Sequence, residues 1–454
     1  MKAPFQDPPT SALPVSPHHR PSLESLRRQF GETVAHIGGD IDRLLPAWAL
    51  DGADSLLHRR KLIICGSQDR AEICRLVRSC EVVAIVDDFL CKKQSTLCGV
   101  PVIDADQWIE RVRADRSLLS LLLVMEPVPY EYFQRLCRQW GIEHLNPLQL
   151  ILLLRRHGIS LSGEAGRYFC MGLGFVEHTL ANADALAAFA SKLEDDYSRF
   201  SWFCILMYRL TLDPAYLSAC AVGTNADAFR LNSYAVNRQF FSFGPDEVYV
   251  DGGPYLGDTV EQFIRAVGGD FRHIHSFEPV AANNTEIRKR LYTLQNEYAR
   301  DFAGRITLSD KGLWSSDTTL HFNLGGVINP SDTQNRVLPN AAHLVEAGML
   351  GHVYDAATEQ AASVKVPVTS IDRATNGDAS FIKLEIEGAE LEALKGAVDT
   401  IRRNRPQMAL SVYHKPEDLT AIPGFLAELG TPYRLGFRQH YPTVMAATVL
   451  YCYR

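Results

Sequence analysis

Two rhythms of apolar positions alternate along this chain. Behind Ser22, a residue suited to cap a helix start, Leu23, Leu26, Phe30, Val34 and Ile37 recur at helical spacing, so residues 23–58 read as a helical segment. Lys61–Cys65 (KLIIC) then reads as a strand, followed by Gly66-Ser67 and a helix over Arg70–Ser79. Val82–Val86 (ending in Asp87-Asp88), Val100–Ile103 and Leu119–Met125 read as further strands with helical stretches between them. Strand and helix in alternation predict a parallel sheet, and residues 59–150 form a first small α/β domain. Residues 151–243 read mostly as a helical connector. In it Leu193, Tyr197, Phe200, Phe203, Met207 and Leu210 make one apolar face, expected to pack the two α/β domains together.

A second α/β domain is expected over 244–454. Glu247–Val250 is a strand running into Asp251, and a helix follows from Asp258 to about Val267 with Val260, Phe263, Ile264 and Val267 on one face. His273–Phe277, Ile306–Leu308, Leu320–Phe322, Val364–Val368, Phe381–Ile386 and Met408–Tyr413 are the later strands. One helix is expected between Glu390 and Arg403, stopped by Pro406. The two closing runs, Tyr433–Phe437 and Thr448–Tyr453, suit an antiparallel hairpin at the sheet edge.

Composition narrows the function. The 454 residues carry a net charge of −7, with 46% apolar and 22% charged residues. That is ordinary globular composition, with no basic footprint for nucleic acid or an anionic membrane. The longest apolar runs, Leu118–Met125 and Leu148–Leu154, fall far short of the roughly 18 residues a membrane span needs. The first residues lack an apolar stretch of the signal-peptide kind. Residues 1–22 hold six prolines among Ser, Thr and His and read as a disordered arm. Ten cysteines without a C-x-x-C pair suggest neither a zinc site nor a disulfide framework, and favour a reducing cytoplasm.

The candidate chemistry sits in four stretches. The first, EVYVDGGPYLGDTVEQF at 247–263, is strand, acid, glycine-rich turn and helix. Gly252, Gly253 and Gly257 let backbone approach a ligand closely. The turn is not G-x-G-x-x-G, and Asp258 at the helix start would repel a phosphate. A loop that begins with Asp251 and ends with Asp258 suits a ligand with a cationic amino-acid portion. The second is Glu278, at the tip of the next strand, where a carboxylate can accept both ribose hydroxyls or else serve as a helix cap. Together these describe a nucleoside with an amino-acid tail and no phosphates, S-adenosylmethionine. The third is FIKLEIEGAELEALKGA at 381–397, whose alternation puts Lys383, Glu385 and Glu387 on one face. These charges either line a site at the strand's carboxyl end or pair structurally. The fourth is SVYHKPEDLTAIP at 411–423, which sets His414 just beyond a strand end.

In this order, VDGGPYLGDT, SFEP, ITLSDKGLWS, VTSID, IKLEIEGAE and SVYHKPEDL resemble the FkbM-type family of S-adenosylmethionine-dependent methyltransferases, over residues 244–454. The resemblance implies an α/β fold class: a C-terminal class I methyltransferase (Rossmann-like) domain, here preceded by a smaller Rossmann-like α/β domain and the helical connector. It also implies methyl transfer to oxygen, on a sugar, glycan or polyketide hydroxyl. Carried over by position, Asp251, Gly253 and Gly257 line the methionine moiety, Glu278 holds the ribose, and Asp310 and Lys311 border the adenine. Two features depart from the family pattern: Glu385 stands where the pattern usually has Asp, and the long stretch 323–363 looks like a lid or substrate loop.

The expected reaction needs a base near the acceptor hydroxyl. His414, as a neutral imidazole, is the first candidate and Glu387 the second; Glu385, Glu387 and His414 gathering a divalent cation is a further option, but no metal site is assigned. The expected partner is a small-molecule or glycan acceptor, with no nucleic acid and no membrane insertion; an oligomer is compatible with the sequence. The competing readings are a nicotinamide-dependent oxidoreductase, against which the missing G-x-G-x-x-G counts, and a non-catalytic scaffold. In the first domain, Gly66 and then Asp87-Asp88 repeat the strand, glycine, helix, strand, acid order, with Asp69 facing any phosphate. It reads as a nucleotide-binding fold that has lost its ligand or docks a partner; a sugar-nucleotide site is the alternative.

Overall fold

The computed structural model describes residues 21–46, 60–67, 70–124, 127–156, 173–222, 234–302, 304–323, 343–345, 363–442 and 445–454. The proline-rich arm, residues 47–58 of the expected first helical segment, Asp69 and most of the expected lid at 323–363 lie outside them. Within them, the first helix spans Leu23–Ile37, capped by Ser22, and ends at Gly38, which turns left-handed at φ 56°. A short 3₁₀ turn, Ile41–Leu44, follows.

The first sheet is built from β1 (Leu62–Cys65), β2 (Val82–Val86), β3 (Thr96–Leu97), β4 (Val100–Ile103), β5 (Leu119–Leu122) and β6 (His144–Leu145), in the order β3-β4-β2-β1-β5-β6. All neighbours are parallel except β3 with β4. The order reverses between β1 and β5, where an open sheet of this kind leaves a crevice. Here that crevice is spent internally. Gly66, at φ 106°, leaves β1 so close to Val124 that a Cβ would stand 2.4 Å from its side chain. Asp87 accepts from the Ser67 hydroxyl and from the backbone N–H of Phe89 and Leu90. Asp88 accepts from the N–H of Ala105 at 2.8 Å and from the Tyr132 hydroxyl at 3.0 Å.

The cysteines correct the sequence reading. Cys74, on the helix Arg70–Ser79, is joined to Cys98 in the β3–β4 turn, with Cα atoms 5.5 Å apart. The two are distant in sequence and meet only when the helix packs over the sheet edge, so no spacing motif signals the bond. Cysteine usage therefore no longer argues for a reducing compartment. No described helix is long and apolar enough to cross a membrane.

The connector is dominated by the helix Asp196–Thr211, capped by Asp195 through Ser198. Every residue from Phe200 to Leu210 is buried, so the expected single apolar face is instead apolar contact all round. The helix Leu23–Ile37 packs on one side of it and the edge of the second sheet on another. Beyond its end, the Tyr130 hydroxyl donates to the Leu212 carbonyl and Arg138 pairs with Asp213, tying on a helix of the first α/β unit. Leu193 lies outside the helix and bridges to Leu435.

The second α/β unit holds β7 (Val248–Gly252), β8 (His273–Phe277), β9 (Ile306–Ser309), β10 (Gly312–Leu313), β11 (Thr318–Asn323), β12 (His343–Val345), β13 (Ser363–Thr369), β14 (Phe381–Leu384), β15 (Gln407–Ser411), β16 (Arg434–Gln439) and β17 (Thr448–Tyr453). Its main sheet runs β16-β17-β15-β14-β7-β8-β9, parallel throughout except that β17 lies antiparallel between β15 and β16. The closing hairpin is thus present as expected, with its last strand inserted inside the edge. A side sheet, β10-β13-β11-β12, stands against it. Both faces of the main sheet are covered, so β7 is buried at every position. Tyr249 and Phe381 stack with Phe263 of the helix Asp258–Ala266 on one face, while Val250, Ile382 and Leu410 join the core shared with the connector on the other.

Two expected elements are shorter than their patterns. The apolar run at 381–386 leaves the sheet after Leu384, because Glu385 turns over the glycine loop. The helix expected over 390–403 is two, Glu390–Lys395 and Val398–Asn404. It breaks at Gly396, which presses so closely on the side-sheet loop that a Cβ would stand 2.2 Å from the Trp314 carbonyl oxygen.

Candidate functional site

The main sheet reverses its strand order between β7 and β14, and the candidate residues collect at the carboxyl ends of these two strands. Parallel register sets Lys383 beside Asp251. Both are fully buried, 3.2 Å apart. The Lys383 ammonium also donates to the carbonyls of Gly252 (3.0 Å) and Gly253 (2.6 Å), and Asp251 takes a second hydrogen bond from the Thr259 hydroxyl at 2.6 Å. Burial works against the charge on Lys383, but Asp251, Glu385 and Asp258 outweigh it and hold the ammonium above the ordinary lysine range. Asp251 is therefore committed to fixing the turn, and the contact with a ligand falls to the turn it fixes.

That turn requires its glycines. Gly253 has φ 75°, and a Cβ on it would stand 1.9 Å from the Glu385 carbonyl oxygen. Gly257, at φ 86°, forms the N-cap of the helix Asp258–Ala266. Asp258 opens that helix as expected, and burial raises its carboxyl to about 6.

Glu278 follows β8 and is buried. It accepts from the Val280 N–H at 2.9 Å, just ahead of the helix Ala281–Tyr298, and Asn284 braces its carbonyl at 2.6 Å. It thus does turn-forming work at the strand tip while lying at the site edge. Burial pushes its carboxyl up to about 7 against the hydrogen bonds from Val280 and Asn283. Asp310 and Lys311 follow β9 and are exposed.

Glu385 stands over the glycine turn, its N–H donating to the Gly252 carbonyl. Its two carboxylate oxygens accept from two phenols, Tyr413 at 2.8 Å and Tyr234. Tyr234 is itself anchored, its carbonyl accepting from the Tyr451 hydroxyl at 2.8 Å, and that hydroxyl meets His440 at 2.7 Å. Burial, then the charge of Glu385, pushes the Tyr234 phenol well above its ordinary range, so it remains a donor.

Strand alternation would have put Glu387 beside Lys383 and Glu385. It instead occupies a left-handed turn residue, φ 57°, ahead of Gly388 at φ 94°, and turns to His414. His414 is almost wholly enclosed. Its Nδ1 lies 2.9 Å from Glu390 and its Nε2 3.6 Å from Glu387. Burial alone would strip its proton, but Glu390 and then Glu387 outweigh that and push it up to about 10. This weighs against the reading of His414 as a neutral base, because Glu390 and Glu387 on its two sides favour the protonated ring. Glu387 retains 27% side-chain exposure and, by desolvation, is raised to about 7. Beneath them Asp418 accepts from the Lys415 N–H at 2.7 Å and is raised, chiefly by burial, to about 7.

The structure thus brings Asp251, Gly252, Gly253, Gly257, Asp258, Glu385 and Lys383 around one turn, with Glu278 across it and the Glu387–His414 pair at the next strand end. Asp310 and Lys311 stay at the exposed rim. Sequence reasoning missed Tyr234, Tyr413, Glu390 and Thr259. Tyr413 and Glu390 sat inside the quoted motifs and were passed over for their charged neighbours; nothing local marks Tyr234, which arrives from the preceding segment. Among the described residues no group of three or more His, Cys, Asp or Glu is arranged to hold a metal. A cavity of about 570 Å³ along Val236–Gln239, Gln262, Arg265 and Ala266 opens at the far end of the helix Asp258–Ala266, away from these carboxylates.

Residues 251–435 match the methyltransferase FkbM domain family. Among solved structures, the crystal structure of methyltransferase FkbM from Methylobacillus flagellatus KT superposes with a TM-score of 0.71 at 24% sequence identity, covering 95% of this chain and 100% of that one. It is a likeness of fold that runs through the N-terminal half as well. A candidate rRNA-methylase from Clostridium thermocellum covers 48% of this chain and 91% of its own, at 11% identity and a TM-score of 0.27, too slight to carry an argument. No curated protein matches the chain.

Proposed function

We propose, from the match of residues 251–435 to the methyltransferase FkbM domain family, that this protein transfers a methyl group from S-adenosylmethionine to a hydroxyl on a sugar, glycan or other secondary metabolite. The observation that carries the cofactor reading is charge. Lys383 is held closest by Asp251 and two carbonyls, so among the described residues Asp258, Glu278 and Glu385 gather at the switch point with Lys383 as a cation they share at longer range. Clustered, desolvated carboxylates favour a cationic ligand. S-adenosylmethionine is positively charged at sulfur and at its amino group, and has ribose hydroxyls in place of phosphates. A dinucleotide would set its pyrophosphate against Asp258, at the helix N-terminus, which disfavours the oxidoreductase alternative. The strand order, with an antiparallel strand inside one edge, supports a class I methyltransferase sheet.

When bound, the cofactor supplies an activated methyl group and a good leaving group; the chain's own residues align and deprotonate. The glycine turn, held by Lys383, fixes the amino-acid end, and Glu278 the ribose. Glu387 takes the acceptor's hydroxyl proton onto a carboxylate oxygen. Its affinity for a proton, near neutrality, suits a general base, and the enclosed His414 cation holds it in place. The first α/β unit reads as a nucleotide fold without its ligand, a view supported by the internal hydrogen bonds of Asp87 and Asp88.

Equilibrium dialysis of the full chain with radiolabelled S-adenosylmethionine and with NAD tests the cofactor. Saturable binding of the first alone is expected, and binding of NAD alone would overturn the reading. Transfer of the labelled methyl into a glycan or metabolite pool tests the acceptor: label released by base treatment as an ester, or found on nitrogen, would overturn the hydroxyl assignment.

A further inference from the structure

We propose that Glu385, clamped by Tyr234 and Tyr413, receives the α-ammonium group of the cofactor and is a binding residue, not a proton acceptor; this rests on the S-adenosylmethionine reading above. Its position is the first reason. The Glu385 N–H donates to the Gly252 carbonyl at 3.1 Å, and its own carbonyl lies where a Cβ of Gly253 would be. The backbone of Glu385 thus lies directly against the turn that would hold the amino-acid end of the cofactor.

Charge is the second reason. An ammonium has three N–H donors. Those of Lys383 have three near oxygens in Asp251, Gly252 and Gly253, while Glu385 stands farther off at 4.0 Å. The two groups that do bind the Glu385 carboxylate closely are neutral phenols. They fix its orientation and bring no opposing charge. A carboxylate offers about four lone-pair sites, so acceptor capacity remains, and the side chain keeps 22% exposure. A second ammonium, brought by a ligand, matches what is left over, with Asp258 as its neighbour on the other side of the turn.

The same geometry accounts for glutamate where the family pattern usually has aspartate. The extra methylene carries the carboxylate out to both phenols. Tyr234 lies upstream of the matched domain, so the segment before residue 251 completes the site. Tyr234 and Tyr413 are positioning residues that act through Glu385.

Calorimetry on the full chain with S-adenosylhomocysteine and with its analogue lacking the amino group separates these roles. The wild type is expected to prefer the amine-bearing compound by about 10- to 100-fold, the range of a charge-assisted hydrogen bond. Glu385→Gln is expected to lose that preference and bind the analogue as the wild type does. Tyr413→Phe and Tyr234→Phe should each reduce the preference by a smaller factor, with folding checked by thermal melts. Should the Gln variant fail to fold, Tyr413→Phe carries the test on one hydroxyl. A Glu385→Gln protein that keeps the wild-type preference, or that loses turnover at unchanged cofactor affinity, overturns the proposal. A wild type that binds neither compound overturns the cofactor reading itself, a result distinct from binding both without preference, which overturns only the role of Glu385.

Discussion

At the scale of single residues, the site separates groups that build it from groups that act in it. Asp251 and His414 are the clearest builders: each carries a charge, is enclosed, and is paired at about hydrogen-bond distance. Removing one partner of a buried pair costs about 3–5 kcal/mol. His414→Ala should therefore lower the melting temperature as well as the rate. Glu387→Gln, at a partly exposed carboxylate, should leave the melting temperature nearly unchanged and cut turnover by about 10²–10⁴-fold. The pH profile distinguishes the two further. A base raised to about 7 is active only when deprotonated, so turnover of the wild type should rise with pH through about 7 and level off above it. A rate independent of pH between 5.5 and 8.5 would remove Glu387 from the role. Glu278→Ala should weaken S-adenosylmethionine binding by about 1.5–3 kcal/mol, the worth of charge-assisted hydrogen bonds to ribose, measured by calorimetry on folded protein.

At the scale of elements, the decisive piece is the turn between β7 and the helix Asp258–Ala266. Its path needs a left-handed residue at 253, and there backbone from the neighbouring strand end occupies the space of a Cβ. Gly253→Ala should displace Glu385 or the turn itself. Left-handed backbone alone costs an ordinary residue roughly 1–2 kcal/mol, and the collision adds to it. Cofactor binding should be lost at temperatures where circular dichroism still reports folded protein; retained affinity would mean the turn has slack that the packing does not indicate. The motif VDGGPYLGD displayed this element in the sequence, because strand alternation, glycine and a helix start are local signals. Strand β14 was harder to place. Its apolar alternation continues through Ile386, yet the strand stops at Leu384, since the next residue is drawn over the turn of another strand. Local pattern carries no information about that neighbour, and Glu387 was consequently assigned to a face it does not occupy.

At the scale of the whole molecule, the buried carboxyls and His414 make stability fall as pH rises, while His275 and His440, held neutral by burial, work the other way below about 6.5. Asp258, Glu278 and Glu387 hold protons more tightly folded than unfolded, at about 6, 7 and 7, so their contribution falls as pH rises from the ordinary carboxylate range through 7. His414, raised from 6.5 to about 10, contributes fully below about 6.5 and loses that contribution as pH rises through 10. The ligand-free protein should accordingly melt at progressively lower temperature from about pH 7.5 to pH 10, above the range in which the neutral histidines act. His414→Gln should flatten the upper part of that slope; an unchanged slope would show that the pair with Glu390 does not govern it. The molecule also makes its site from distant parts. The connector helix Asp196–Thr211 is buried all round, and Tyr234 reaches Glu385 from the segment after it.

The order of strands and helices, the glycine turn and the carboxylates at strand tips were determined by the sequence alone, because alternation, helical period and glycine's backbone freedom act within a few residues. Which charges meet was decided only by the tertiary structure. Lys383 with Asp251, Glu385 with Tyr234 and Tyr413, His414 with Glu390, and Cys74 with Cys98 are joined by strand register, by helix breaks and by packing. All four pairings link different strands, helices or segments. Neighbouring carboxylates, acting against burial, hold the protons of Lys383 and His414, and both influences are properties of the surroundings that no single stretch of sequence contains.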